Sequence, residues 1–330
     1  MSVRTLLAGG SRSPATATTR HSMADTVGDT PLVELDRLFH DLPVTVFAKL
    51  EFLNPFGSTK DRVARYVIER WLADGKIVKG GHLVESSSGN FAIALAALAP
   101  LYDLTVTCVV DPNTCGPNLA ILRGLGARVE MVDEPDLNDG YLHSRLERVR
   151  EVLDEVPGSV CVNQYANELC WRAHYDSTAH EIVRQIDGPV DTLVVAVSTT
   201  ATLLGISRRL RERWPALHTV AVDAKGSVIF GGAPGPRRLP GLGSSRTPEL
   251  LCREEIDEVR YVQEQDAVSG CRDLLHTEGI LAGASSGAVV SAIHAIAGDL
   301  PAGSRVLTVF PDRGERYIDL VYDPAVGAEP

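Results

Sequence analysis

Short β-forming runs alternate with helix-length segments along most of this 330-residue chain. Several runs, such as TLVVAV at 192–197 and RVLTVF at 305–310, are almost continuously apolar, which is typical of strands covered on both faces. This order predicts an α/β protein with mainly parallel sheets flanked by helices. The predicted strands span 44–51, 82–86, 104–110, 128–132, 160–164, 192–197, 218–223, 258–262 and 305–310. The predicted helices span 59–73, 90–99, 141–156, 168–186, 201–213, 265–276 and 286–297.

Composition excludes several classes of protein. The formal net charge of −11 argues against nucleic-acid binding. Six scattered cysteines form no CxxC pair, which argues against a zinc ribbon and favours buried free thiols in a reducing compartment. His174 and His180 lie six residues apart and do not indicate a metal site. The segment 231–248, rich in Gly, Pro and Arg, predicts a long loop of the kind that often serves function.

Two segments decide whether the chain is expected to meet a membrane. The stretch 91–110 is strongly apolar, but Pro100 and Asp103 interrupt it. It therefore predicts a helix, a turn and a strand and not a membrane span. Residues 1–24 contain no acidic residue and no long apolar core, so they predict a disordered tail rather than a targeting segment. The expected location is the cytoplasm.

Polar residues follow three of the predicted strands at the point where each strand ends. Lys60 in NPFGSTKDR opens one helix, SSSGN at 86–90 opens the next, and STTAT at 198–202 opens a third. Ligands of open α/β sheets bind at the carboxyl ends of the strands, and hydroxyl-rich helix N-termini suit carboxylates or phosphates. Each stretch alone also fits a simpler interpretation, a solvated lysine or a helix cap.

Together with AGASSGA at 282–288, these stretches resemble the fold type II pyridoxal-phosphate enzymes, the cysteine synthase and cystathionine β-synthase family, over residues 25–320. The stretches GYLHSRLERV, VNQYAN, LPGLGSS and PDRGERYID are similar to one branch, the N-(2-amino-2-carboxyethyl)-L-glutamate synthases. The resemblance implies a tryptophan synthase β-like fold with two domains. Residues 25–52 and 160–325 would form the large cofactor-binding domain, and residues 53–159 the smaller substrate-binding domain.

The same resemblance implies an activity. Pyridoxal 5'-phosphate would be the cofactor, and the enzyme would join O-phospho-L-serine to L-glutamate with release of phosphate. The product would serve 2,3-diaminopropionate biosynthesis for a siderophore or an antibiotic. The partners would be small amino acids, with neither nucleic acid nor membrane, and the assembly would be a homodimer, which is also the commonest closed assembly.

Residue roles follow from the resemblance position by position. Lys60 would bind the cofactor as a Schiff base, Asn90 would contact its phenolic oxygen, and Ser285 its pyridine nitrogen. The residues implied to hold the cofactor's phosphate are Ser198, Thr199, Thr200, Ala201 and Thr202. The residues expected to bind the amino-acid substrates are Ser86, Ser87, Ser88, Arg145, Gln164 and Tyr165.

Arg145 and Tyr165 enter that list on grounds of charge. The substrates carry several negative charges into an acidic protein, so local cations must offset them. Arg145 is the first candidate, with Tyr165 as a hydroxyl donor. Further candidates are the loop arginines Arg237, Arg238 and Arg246. By contrast, we interpret the mixed charges of Asp312, Glu315 and Arg316 as ion pairs that tie down the C-terminal segment.

The sequence departs from the family pattern at a few positions. Ser198 and Ala201 stand where the phosphate loop usually has glycine, which narrows the space there. Phe91 stands where cysteine synthases carry a small polar residue, which weakens the interpretation as a plain cysteine synthase.

Three rival readings of the sequence remain open. A cysteine synthase using O-acetylserine or O-phosphoserine with sulfide would share every cofactor residue. A non-catalytic, partner-binding relative would not need to retain Lys60, Asn90 and Ser285. A nicotinamide enzyme with a Rossmann fold would carry a GxGxxG motif after an early strand, and none is present.

Overall fold

The computed structural model describes residues 19–136 and 140–323. Residues 1–18 of the predicted tail and 324–325 of the predicted large domain lie outside these ranges. The described chain starts just before a 3₁₀ turn, Met23–Thr26, which Ser22 caps by accepting a hydrogen bond from the backbone N–H of Ala24 at 3.2 Å.

Two sheets of mainly parallel strands organise the fold. The larger sheet has the strand order β1-β2-β10-β7-β8-β9, and only the β1–β2 pair is antiparallel. The smaller sheet has the order β5-β4-β3-β6 and is parallel throughout. The strands are β1 Leu32–Glu34, β2 Val44–Leu50, β3 His82–Glu85, β4 Thr105–Val110, β5 Arg128–Met131, β6 Val160–Cys161, β7 Thr192–Ala196, β8 His218–Ala224, β9 Glu258–Val262 and β10 Ser304–Phe310.

Helices connect the strands and cover the sheets. Buried apolar side chains of β7, β8 and β10 pack against α9 on one face and against α6 and α7 on the other, which explains why these strands are apolar on both sides. The helices are α1 Lys60–Ala73, α2 Asn90–Leu98, α3 Gly116–Gly124, α4 Leu142–Glu155, α5 Leu169–Ala173, α6 Ala179–Gln185, α7 Ala201–Arg213, α8 Glu264–Asp273 and α9 Ala284–Ile296. Among the described residues, no helix has the length and apolarity that crossing a membrane requires.

The sequence prediction of α/β architecture is confirmed, with local differences. The strand β1 and the helix α3 were not predicted, because three residues are too short for a pattern and α3 begins with Gly-Pro. The predicted helix 168–186 is divided by a π-helical segment, His174–Thr178, into α5 and α6. The stretch 91–110 forms helix, turn and strand as predicted. All six cysteines are free thiols, but only Cys108, Cys170 and Cys271 are buried.

A buried ionic cluster connects β2 with α1 and α6. Arg62 of α1 donates hydrogen bonds to Glu51 and Glu181 at 2.6 Å each, and Lys49 of β2 donates to Glu181 at 2.7 Å. None of these four side chains is more than 9% exposed. Because removing one member would leave a buried charge unpaired, the cluster fixes the start of α1, where Lys60 lies.

Candidate active site

Segments that leave the carboxyl ends of four strands surround one cavity of about 180 Å³, here called the inner cavity. Helices α1, α2 and α7 follow β2, β3 and β7, a segment at 311–317 follows β10, and the first turn of α9 completes the wall. This is the ligand-binding edge of parallel sheets. The predicted site residues that line it are Lys60, Ser87, Asn90, Gln164, Tyr165, Ser198, Thr199, Thr200, Thr202 and Ser285.

Lys60 is the first residue of α1, and its backbone is held firmly. The backbone N–H of Lys60 donates to the hydroxyl of Ser58 at 3.2 Å, and that of Thr59 donates to the carbonyl of Pro311 at 2.8 Å. Desolvation lowers the pKa of the Lys60 amine, while the nearby Cys170 and Asp312 oppose that shift. A lysine whose pKa is lowered by burial can act as a nucleophile or a base.

The Asn90 amide, in the first turn of α2, lies between the buried carboxyl of Asp312 and the guanidinium of Arg316. Its nitrogen donates to Asp312 at 2.8 Å, and its oxygen accepts from Arg316. Asp312 also accepts a hydrogen bond from the hydroxyl of Tyr317 at 2.7 Å, and within the described part of the chain its second oxygen, Oδ1, has no hydrogen-bond partner. Desolvation raises the pKa of the Asp312 carboxyl.

From the sequence we expected Asp312 and Arg316 to tie down the C-terminal segment and missed that both line the inner cavity beside Lys60. They do connect this segment to α2, through their hydrogen bonds to the Asn90 amide. Asp312 is 2% exposed. It follows the carboxyl end of β10, so the rule that identified the other sites would have identified it. Glu315, by contrast, is exposed and does not line the inner cavity.

The loop before α7 carries an unusual backbone conformation. Thr200 has φ +65°, in the left-handed region that β-branched residues rarely adopt. Its hydroxyl donates to the carbonyl of Thr199 at 2.7 Å. Backbone N–H groups at this helix start have no intrahelical partners, which suits a phosphate. Ala201 does not line the cavity and instead packs into the adjacent hydrophobic core.

A buried histidine that lies outside the inner cavity's lining contacts the first turn of α7. His174, in the π-helical segment, contacts the hydroxyl of Thr202 at 3.2 Å through Nε2 and that of Thr178 at 3.0 Å through Nδ1. Burial lowers the pKa of His174 to about 3, so the ring is neutral at ordinary pH. The histidine was not predicted as a site residue, since its only sequence signal was an isolated His in a helix.

Ser285 lies in the first turn of α9, two residues after Gly283, where close packing leaves no space for a side chain. A Cβ on Gly283 would lie 2.0 Å from Asp312 Oδ1, far inside any contact distance. The close packing of AGASSGA places Ser285 and Asp312 against the same cavity.

The inner cavity as a whole fits pyridoxal phosphate. Its amine, amide and hydroxyl groups and the free N–H groups at the start of α7 are the groups that this cofactor requires. The described residues contain no group of three or more His, Cys, Asp or Glu that could bind a metal.

A larger cavity of about 540 Å³, here called the outer cavity, adjoins the inner one. Both share Ser87, Gln164, Tyr165 and Ser198 as walls, so the predicted residues lie in one continuous site. The remaining predicted residues, Ser86, Ser88 and Arg145, line the outer cavity alone.

The outer cavity also contains Glu85, the last residue of β3. Its carboxylate accepts a hydrogen bond from the backbone N–H of Asn163 at 2.8 Å. Desolvation raises the pKa of Glu85 to about 7. This buried acid therefore titrates within the physiological range.

Comparison with known proteins identifies the class. The sequence profile of a family described as pyridoxal-phosphate dependent enzyme matches residues 23–312. The chain therefore belongs to that family of enzymes, and pyridoxal phosphate is its cofactor. Solved structures agree with the fold: O-acetylserine-dependent cystathionine β-synthase from Helicobacter pylori has a TM-score of 0.85 and 32% identity, covering 93% of this chain and 100% of that one. O-ureido-L-serine synthase has a TM-score of 0.87 and 29% identity, covering 94% and 98%.

Two curated relatives are more similar in sequence. The chain is 55% identical over 302 residues to the N-(2-amino-2-carboxyethyl)-L-glutamate synthase of Ralstonia nicotianae, covering 92% of this chain and 89% of that protein. It is 52% identical over 308 residues to the enzyme of the same name from Cupriavidus metallidurans, covering 92% and 90%.

Proposed function

We propose that this protein is an N-(2-amino-2-carboxyethyl)-L-glutamate synthase that joins O-phospho-L-serine to L-glutamate and releases phosphate. The observation that carries this proposal is the identity above 50% to two synthases of that name over about nine-tenths of each chain. The basic residues of the outer cavity support an acidic acceptor, since three arginines, Arg145, Arg237 and Arg246, line it beside two acids, Glu85 and Asp111.

In this proposal, residues of the inner cavity hold the cofactor. Lys60 would hold the cofactor through its aldehyde group, Asn90 through its phenolic oxygen, and Ser285 through its pyridine nitrogen. The phosphate is held by the loop of Ser198, Thr199, Thr200, Ala201 and Thr202, to which Ala201 contributes its backbone. Bound pyridoxal phosphate supplies the electron sink that allows a proton to leave Cα and a leaving group to leave Cβ.

The protein then supplies position and proton transfer. Ser86, Ser87, Ser88 and Gln164 form a seat for the α-carboxylate of the donor amino acid at the start of α2. Nζ of Lys60, whose pKa is lowered by desolvation, would accept the Cα proton and later return it.

Two further residues are proposed to receive the donor's phosphate. Arg145 and Tyr165 line the outer cavity. Arg145 lies 3.3 Å from Asp111, so its guanidinium is already oriented toward this cavity. Charge-assisted hydrogen bonds from arginine suit a phosphate group.

Cysteine synthesis with sulfide is the alternative left open by the sequence, since such an enzyme would use the same cofactor-binding residues. A competition assay separates the two. The purified enzyme is given phosphoserine, glutamate and sulfide together, and the products are identified by mass spectrometry. We expect the glutamate adduct to dominate, and cysteine as the main product would overturn the proposal. Addition and omission of pyridoxal phosphate test the cofactor requirement.

We also propose the wider setting expected from the sequence. The product serves 2,3-diaminopropionate biosynthesis for a siderophore or an antibiotic, and the enzyme acts in the cytoplasm as a homodimer. Residues 25–52 and 160–325 would form the cofactor-binding domain, and 53–159 the substrate-binding domain. The two separate sheets support a division into two domains, but β6, Val160–Cys161, pairs with β3 and so belongs to the smaller sheet. Analytical ultracentrifugation measures the assembly directly.

A further inference from the structure

The outer cavity holds three guanidinium groups, and they differ in how their charge is compensated. Arg145 pairs with Asp111 at 3.3 Å. Arg246 pairs with Glu249 at 2.6 Å and lies over the ring of Tyr165, 4.4 Å from its centre. Both are therefore ion-paired before any substrate arrives.

Arg237 differs from these two arginines. Its Nη1 donates to the carbonyl of Leu242 at 3.3 Å and its Nη2 to the hydroxyl of Ser245 at 2.6 Å. Both partners are neutral, and within residues 19–136 and 140–323 no carboxylate pairs with Arg237 within 4 Å. Its charge acts on the buried Asp223 from a longer distance, where it opposes the rise in the pKa of that carboxyl. Among the described residues the buried Nε of Arg237 has no hydrogen-bond partner, a feature that it shares with Nε of Arg145. Of the five N–H donors of an arginine, three are left for a ligand.

A guanidinium with unused N–H donors is energetically unfavourable unless an anion accepts the remaining hydrogen bonds. A buried donor without a partner loses its hydrogen bonds to water and gains none in return. A guanidinium can donate two parallel hydrogen bonds to a carboxylate. The contacts to Leu242 and Ser245 hold the planar group against the segment Leu239–Ser245, part of which walls both cavities. Arg237 is thus a fixed cation at the edge of the site.

We propose that Arg237 binds a carboxylate of the acceptor amino acid in the outer cavity and makes the enzyme select a dicarboxylic acceptor over its uncharged amide. The inference rests on the proposed function, because it concerns which group of glutamate is recognised. It also assigns different tasks to the arginines: Arg145 serves the donor, and Arg237 the acceptor.

The neighbouring Arg238 provides a matched control. Its side chain is 88% exposed, and it pairs with Glu264 at 3.5 Å, outside both cavities. The variants Arg237→Gln and Arg238→Gln therefore remove the same charge from adjacent positions. Arg237→Lys keeps the charge but removes the planar fork.

The test compares glutamate with glutamine as acceptors at saturating phosphoserine. For Arg237→Gln we expect KM for glutamate to rise about tenfold or more, as expected when a charged hydrogen bond is lost, while KM for phosphoserine stays within about twofold. The preference for glutamate over glutamine should collapse. Arg238→Gln should behave as the wild type, and Arg237→Lys should keep part of the preference.

The outcomes separate the two proposals. If the wild-type enzyme makes no glutamate adduct, the proposed function fails. If it makes the adduct and Arg237→Gln keeps the wild-type preference for glutamate, the inference fails. The inference is also overturned if KM for phosphoserine and glutamate rise together, since Arg237 would then only brace the segment Leu239–Ser245. Should Arg237→Gln not fold, Arg237→Lys decides: an unchanged KM for glutamate would contradict the inference.

Discussion

The inner and outer cavities share a wall but are built differently. The inner cavity is lined mainly by amine, amide and hydroxyl groups at helix starts, and its acid, Asp312, is buried and accepts hydrogen bonds from Asn90 and Tyr317. The outer cavity is lined by arginines, two of which lie in the loop 231–248. The difference separates two tasks. The inner cavity sets the chemistry common to the family, and the outer cavity sets which acceptor is used.

Removal of the inner-cavity amine should abolish every reaction alike. We expect Lys60→Ala to reduce turnover of phosphoserine about 10³-fold or more, because one group both binds the cofactor and moves the proton. The loss should be the same with glutamate or sulfide as acceptor. Phosphate release measures it, and Lys79→Ala, at an exposed lysine paired with Asp103, is the control. A loss confined to glutamate would contradict the division of tasks.

The packing of the inner cavity can be tested without replacing a polar residue. Gly283→Ala places a methyl group onto Asp312, so we expect it to lower the free energy of unfolding by about 1–3 kcal/mol and turnover more than tenfold. A Cβ added at Gly298 would have no atom within 4 Å among its described surroundings, so Gly298→Ala should be neutral or slightly stabilising. Denaturant titration and rate assays measure both. Equal effects of the two variants would show that the contact with Asp312 is unimportant.

The buried acid of the outer cavity should make stability depend on pH. Because the folded-state pKa of Glu85, about 7, lies above its ordinary 4.5, its contribution to stability is fully present below about 4.5 and is lost as the pH rises through 7. Glu85→Gln removes this loss of stability, because glutamine does not ionise. From pH 5 to 8, the free energy of unfolding of the variant should gain about 1–3 kcal/mol relative to the wild type. A constant difference across these pH values would contradict the burial of an ionisable Glu85.

The smallest expected effect concerns the strained loop of the inner cavity. Thr200→Gly relieves strain of about 1–3 kcal/mol at the positive φ but adds about 0.5–1 kcal/mol of freedom to the unfolded chain. We therefore expect a net gain of about 1 kcal/mol in the free energy of unfolding of the cofactor-free protein. Ser198 has no positive φ, so Ser198→Gly should cost about 0.5–1 kcal/mol through the added freedom of the unfolded chain. Urea denaturation measures both changes. A loss of stability in Thr200→Gly would mean that the threonine conformation is not strained.

The sequence predicted the two regions unequally. The strand ends before Lys60, Ser86 and Ser198 were correctly identified, because apolar runs followed by small polar residues are local patterns. Asp312 follows the same rule, but the mixed charges of PDRGERY directed the interpretation to ion pairs. The positive φ of Thr200 could not be predicted, because β-branched residues disfavour that conformation.

The outer cavity depends on contacts between distant segments, and sequence alone does not specify them. Arg237 and Arg238 are adjacent and chemically identical, yet one lines the cavity and the other pairs with Glu264 at the surface. Likewise, the pairing of Arg145 with Asp111 brings α4 to the end of β4. Only the folded chain distinguishes a cation with a partner from one without.

The central claim is that the enzyme forms a bond between Cβ of a serine-derived donor and the amine nitrogen of glutamate. Incubation of the enzyme with phosphoserine and ¹⁵N-labelled glutamate, followed by mass spectrometry, tests it directly. The account predicts one adduct that contains both carbon skeletons and the label, with phosphate released in equal amount. Phosphate release without a labelled adduct, or an unlabelled product, would contradict it.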